Sequence, residues 1–212
     1  MTSLIRPLKL RVCDDQNRPS IFINLYSELS YTERFGDRDS FTFSISRKAE
    51  NVDYLVPGRV LIVPKDDSHD TMRALVIKQI SADADTVTVS GCDYLWELFT
   101  YRLCLNGIQT GTGYDTMTGA AETLARHYID VNIISATDTR RRDPNVTMET
   151  AHSPALGKTL TVNARLHSLQ EILETICLTG GIGIEGVLVE DSSTQGWHVE
   201  IRMSEGTDRS QT

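Results

Sequence analysis

The amino-acid sequence predicts an α+β, mainly β fold: small β-barrels of mostly antiparallel strands with two or three helices packed alongside. Three observations predict it. Short apolar/polar alternations recur from Leu8 to Val89, separated by turn-forming residues, the pattern of a small barrel or sandwich. After Gly91 the period lengthens to helical spacing. A capped amphipathic stretch at Ser168 then leads into two further alternating stretches.

Leu8, Leu10 and Val12 alternate with polar neighbours, and Ile21, Ile23 and Leu25 are in phase after the turn-forming residues 14–19, so the pair predicts a hairpin. Phe41, Phe43 and Ile45 alternate with Thr42, Ser44 and Ser46, the clearest period of two in the chain. A Pro57-Gly58 turn precedes an apolar strand through Val60, Ile62 and Val63. Leu75, Ile77 and Ile80 mark another strand, and Val87 and Val89 a further one after a turn at 82–85. A closed barrel is one way to bury all of these, because closure removes exposed edges. Edges left open to pair with a neighbouring subunit are the alternative.

Asp93 is placed to cap a short helix carrying Leu95, Leu98, Phe99 and Arg102. A glycine-rich loop at 107–113 leads to an expected helix from Thr116 to Tyr128, with Met117, Ala121, Leu124 and Tyr128 on one face. Residues 135–154 are polar and proline-punctuated, which predicts a long loop, either ordered with a short strand or mobile. Ser168 and Glu171 form an S-x-x-E capping box ahead of the stripe Leu169, Ile172, Leu173 and Ile176, and Gly180-Gly181 ends that helix. Strands at 184–189 and 198–203 follow, and a frayed tail is expected after Glu205.

At 212 residues with 40% hydrophobic side chains, the chain has enough apolar material for a core. No apolar run approaches the roughly 20 residues of a membrane helix, and no leader pattern is visible at residues 1–12, so synthesis in a cytosol is expected. Cys13, Cys92, Cys104 and Cys177 never form C-x-x-C and read as small core residues. A net charge of −8 argues against tightly held nucleic acid, whose phosphates would demand clustered Lys and Arg. It leaves room for DNA that passes without sticking.

The motifs of chemistry fail on context. Gly157-Lys158-Thr159 has His152 where a phosphate-binding loop needs its first glycine, and Leu160, Val162 and Ala164 after it alternate like a strand. Gly111 and Gly113 lack the third glycine of a dinucleotide fingerprint. Asp66, Asp67 and Asp70 lack the spaced ligands of a calcium loop and read as a hairpin tip. His69, His127, His152, His167 and His198 match no zinc or metalloprotease spacing. Arg140, Arg141 and Arg142, beside Asp138 and Asp143, predict a salt-bridged loop or a subunit contact. No serine lies in G-x-S-x-G. The expected catalytic, cofactor-binding and metal residues are none, and the chain reads as a non-enzyme.

A run rich in aromatic and charged residues at 26–35, the strand SFTFSIS at 40–46, LVPGRVLIV at 55–63, ALVIKQI at 74–80 and VSGCDYLWELFTYRL at 89–103 follow one another. That succession resembles the N-terminal part of siphophage tail-associated and baseplate hub proteins, which are similar to the tube-forming hub of contractile tails. The resemblance implies a homotrimer forming a ring that continues the tail tube and passes DNA. Partners are then the distal tail and tape-measure proteins of the same phage, and the location is the virion tail tip after synthesis in the host cytoplasm. Residues 1–103 are expected to form the β-barrel hub domain. Residues 104–212 are expected to form an α+β region that completes the barrel or starts a second one. The competing reading is a carbohydrate- or receptor-binding barrel, with Tyr26, Tyr31, Trp96 and Trp197 as candidate exposed aromatics; Trp96 is expected in the core.

Overall fold

The structure is a computed structural model and describes residues 9–14, 18–32, 34, 38–64, 72–191 and 196–206. It divides into two compact units. The first comprises Met1–Glu33, Arg38–Tyr94 and Val187–Trp197; the second comprises Arg34–Asp37, Leu95–Gly186 and His198–Thr212.

The first unit contains β1 (Leu10–Cys13), β2 (Pro19–Ile23), β3 (Tyr26–Thr32), β4 (Ser40–Ser46), β5 (Val60–Pro64), β6 (Met72–Ala82) and β7 (Thr86–Asp93). They pair antiparallel in the order β2-β1-β5-β6-β7-β4-β3. One face of this sheet supplies a single core. Leu10, Val12 and Ile23 from one end of the order share a buried cluster with Phe41, Phe43 and Ile45 from the other. A sheet whose opposite ends meet the same core must curl, as its right-handed twist favours. Among the described residues, no ladder joins β2 to β3 to close it. Complete burial of side chains such as Phe43 and Leu75 stabilises the unit by about 1.5–3 kcal/mol each.

The β4 alternation behaves as its sequence predicts, with Phe41, Phe43 and Ile45 buried and Thr42 exposed. The β1–β2 hairpin forms as expected, but Leu25 does not extend it: it lies between β2 and β3 and is 73% exposed. β3 occupies most of the stretch read only as rich in aromatic and charged residues. It is paired to β4 with a bulge between Ser27 and Ser30, where Glu28 adopts a positive φ of 55°. The expected hairpin tip at 66–70 lies outside the described residues.

The second unit starts within α1 (Tyr94–Thr100), which follows Asp93 directly, and continues through the single-turn α2 (Asn106–Gln109). β8 (Asp115–Ala120) and β10 (Thr159–Ala164) form a two-stranded antiparallel ladder. Between them run α3 (Ala121–Ile129), which passes into a π-helical turn at Asp130–Ile134, and the short β9 (Val146–Met148). α4 (Leu169–Gly180) leads to β11 (Ile182–Asp191) and β12 (Gly196–Glu205), strands that give residues to both units. Within the second unit, β12 pairs parallel to β9.

The helix expected from Thr116 to Tyr128 is corrected at its start. Residues 115–120 are strand, because β-branched Thr116 and Thr118 favour an extended segment and the whole stretch gains a full ladder with β10. The helix proper begins at Ala121, and Ala121, Leu124 and Tyr128 are fully buried on it. α4 matches its sequence closely. The Ser168 hydroxyl accepts from the Glu171 amide at 3.2 Å, the Glu171 carboxylate accepts from the Ser168 amide at 3.3 Å, and Gly181 closes the helix at φ 74°.

Candidate functional site

The chemistry-bearing side chains of the second unit gather around α3. Glu122 sits in the first turn of that helix, where a carboxylate complements the positive end of the macrodipole, and one turn later Arg126 donates from Nε at 2.9 Å. Glu122 is fully buried. It also accepts from the His152 amide at 3.0 Å and the Leu156 amide at 2.9 Å, and His152 Nδ1 stands 3.1 Å away. Burial would raise its pKa, but the two backbone donors, then the Arg126 and His152 side chains, outweigh burial and hold it down to about 2. Arg126 Nη1 donates to the Glu149 carbonyl at 2.7 Å, and the Glu149 carboxylate accepts from the Met203 amide at 2.7 Å. The chain therefore ties the proline-punctuated segment 149–156 to α3 through one carboxylate, which is how a polar loop stays ordered over a core.

On the next turn His127 Nε2 lies 2.9 and 3.0 Å from the two oxygens of Asp115, the first residue of β8. Tyr128 donates to the Asp115 carbonyl at 2.9 Å and stands 3.1 Å from the Val162 carbonyl, locking α3 onto both strands of the ladder. Burial, and then the Asp115 charge, push the Tyr128 phenol above its ordinary pKa. A histidine held by a carboxylate is the orienting half of a nucleophilic triad. Here, among the described residues, no serine, threonine or cysteine hydrogen-bonds the imidazole. Cys104 is buried, with its thiol pushed up to about 12 by burial and then by Asp115, so it stays protonated. Beside Asp115 a groove of about 830 Å³ opens, walled by the glycine loop after α2 and floored by the Thr116–Asn163 pair of the ladder.

In the first unit a second polar cluster lines the core. Tyr31 donates to Asp39, Arg73 Nη1 lies 3.4 Å from the same carboxylate, and the Arg73 guanidinium stands 4.4 Å over the Tyr31 ring. Arg73 is 7% exposed, so this carboxylate and ring compensate a charge that has left water.

The residues singled out in the sequence fall into place as follows. Gly157, at φ 81°, is a turn into β10; a Cβ there would stand 2.8 Å from Ala121 Cβ and 2.7 Å from Ile182 Cγ2. Gly111 and Gly113 are positive-φ loop residues ahead of β8. Arg140 pairs with Asp138 at 2.8 Å, Arg141 donates to the Leu103 carbonyl at 2.5 Å, and Arg142 donates to the Ala136 carbonyl at 2.9 Å, so the triplet staples a loop. Asp66, Asp67, Asp70 and His69 lie outside the described residues. His167 is exposed and His198 is half-buried on β12. All four cysteines are buried thiols outside any disulfide. Trp96 and Trp197 are buried, half-buried Tyr26 packs edge-on to Phe43 at 6.0 Å, and half-buried Tyr31 is engaged as described. Sequence reasoning missed the Asp115–His127 pair, whose members sit twelve positions apart on different elements. The Glu122–Arg126 pair did carry a signal, its four-residue spacing on a helix face.

A family profile described as Siphovirus ReqiPepy6 Gp37-like protein matches residues 9–212. Among curated proteins, none matches the chain. Among solved structures, the prophage tail protein gp18 from Listeria monocytogenes EGD-e is similar, with a TM-score of 0.56 at 11% identity, over 91% of this chain and 50% of that one. The 43 kDa tail protein of prophage MuSo2 from Shewanella oneidensis gives 0.48 at 14% identity, over 92% and 53%. The tail protein from Neisseria meningitidis MC58 gives 0.46 at 16% identity, over 88% and 52%. The chain spans about half the length of each of these three proteins. The likeness to gp18 is one of fold.

Proposed function

We propose a role from one premise, that the chain belongs to the Siphovirus ReqiPepy6 Gp37-like protein family: it is a structural component of a phage or prophage tail. In this reading it is the baseplate hub at the tail tip, where three copies close a ring that continues the tail tube and lets DNA through. The family match across residues 9–212 carries the proposal, and the shared fold with a prophage tail protein supports it. Residues 1–103 are then the hub domain, its curled sheet acting as the barrel, and residues 104–212 are the α+β region that completes the barrel or starts a second one. A ring of this kind uses heterologous contacts, each copy's edge meeting a different surface on the next and closing by rotation. Among the described residues β2 and β3 each pair with one strand, and a strand at a sheet edge is a template for a neighbouring chain. A net charge of −8 suits a tube wall that must not grip phosphates. Distal tail and tape-measure proteins are the expected neighbours, and no catalysis is required of the hub itself.

Light scattering across a range of concentrations tests this. The expected result is a species of three times the chain mass of 23.7 kDa. A strict monomer at the highest concentration would overturn the ring.

A further inference from the structure

We propose that the groove beside Asp115 is a saccharide-binding site that takes one uncharged sugar unit. Its volume of about 830 Å³ lies within the ~300–1,000 Å³ of small-ligand sites. Among the described residues, Asn106, Thr116 and Asn163 line it with side chains that make no intramolecular hydrogen bond. An amide presents a donor and an acceptor together, the pair that adjacent sugar hydroxyls require. Asp115 adds a carboxylate whose side chain is only 9% exposed and whose direction is set by His127. Its remaining lone pairs can accept from hydroxyls in a partly dry setting, where a hydrogen bond to a charged group is stronger than one between neutral partners.

The wall is braced by its own side chains. Thr112 Oγ1 lies 2.9 Å from the Gly107 carbonyl and 3.0 Å from the Tyr114 carbonyl, and Thr110 Oγ1 lies 3.2 Å from the Gly107 carbonyl. These contacts tie the glycine loop to itself, and such preorganisation lowers the ordering cost of binding. Tyr114 borders the groove with its ring half exposed, a flat apolar surface for the C–H face of a sugar, and Arg165 stands 5.3 Å over the same ring. Among the described residues, the lining itself holds the Asp115 carboxylate and no lysine or arginine, with Arg165 reaching only the Tyr114 ring at the border; a carboxylate in the wall disfavours an anion. Among the described residues no cluster of three metal-ligating side chains exists, which disfavours a cation.

The test uses the full chain and saturation-transfer NMR with glucose, galactose, N-acetylglucosamine and rhamnose, alongside co-sedimentation with purified bacterial wall polysaccharide. At least one probe is expected to bind saturably. Affinity should fall about 10-fold in Asn163→Ala and in Tyr114→Ala, the loss of one good hydrogen bond or ring contact. It should hold in Leu178→Ala, at an exposed site away from the lining residues. Both lining residues are exposed, so melting curves should confirm that the variants fold. A monosaccharide response identifies a free sugar as sufficient. Polysaccharide binding alone, lost in both variants, identifies a polymer as the source. No binding to any probe, or binding that survives both substitutions, overturns the site.

Discussion

Phe41 lies directly opposite Gly91 in the β4–β7 ladder, and its ring covers the space a side chain at Gly91 would fill, with Cε1 2.7 Å from an ideal Cβ. On its other edge Gly91 faces Ile77 of β6, and the Val76 carbonyl would stand 1.9 Å from the same Cβ. A glycine in a strand interior usually weakens it; an aromatic ring laid over the bare backbone restores the lost packing. Gly91→Ala should therefore destabilise the protein by roughly 3 kcal/mol or more, since the obstructing atoms include backbone that cannot rotate away. Urea denaturation of both proteins measures it. Equal midpoints would show that the ladder yields.

The Glu122 carboxylate ionises at about 2 in the fold, below its ordinary 4.5. Between those values the unfolded chain binds more protons than the folded one. The stability it contributes is therefore fully present above about pH 4.5 and is lost as pH falls towards 2. Glu122→Gln should cost about 3 kcal/mol near neutrality, because the buried charge is removed from its Arg126 partner and its backbone donors, and Arg126, itself only partly exposed, is left without it. The difference from the unsubstituted chain should shrink through that acid window. Thermal melts recorded between pH 7 and pH 2.5 would reveal it as converging curves.

Cys13, Cys104 and Cys177 have thiols pushed up to about 12, chiefly by burial. At pH 8 the thiolate fraction is then about 10³-fold below that of a free cysteine, and the thiolate is the reactive species. Ellman's reagent should leave these thiols unmodified in the native protein over minutes and titrate all four cysteines once the chain is unfolded. Rapid native modification would show that the core opens far more readily than its packing implies.

Ser168→Ala removes one side of the reciprocal cap at the start of α4. The expected cost is ~1 kcal/mol, with Ser168→Asp recovering most of it, because aspartate caps as well as serine. Chemical denaturation of the pair separates a lost cap from a general disturbance at that position.

How much was legible follows from how local each signal is. SFTFSIS and the Ser168–Glu171 box state their structures within a few residues, and both form as read. β3 was missed because its bulge at Ser27–Ser30 breaks the alternation that marks a strand. Residues 116–120 were read as helix because Met117 falls in phase with Ala121 and Leu124; what makes them a strand is β10, over forty positions downstream. The Asp115–His127 contact likewise needs the strand-to-helix junction at Ala120 and Ala121, which no spacing rule encodes.

The segment Val187–Trp197 completes the first unit from far down the chain. It is tied in by the Leu188–Met72 bridge, the Arg11–Glu190 ion pair and the Tyr94–Trp197 ring contact at 5.3 Å. The chain between, 95–186, belongs to the second unit. At ~5–20 residues per second of synthesis, roughly 5–20 s separate the emergence of Tyr94 from that of Trp197. During that interval the nascent first unit is short of a strand at Met72 and of a cover for Tyr94, so it cannot mature in the order in which it is made. Its completion is timed by translation of the second unit, and a chain stalled before Val187 leaves both of those surfaces open.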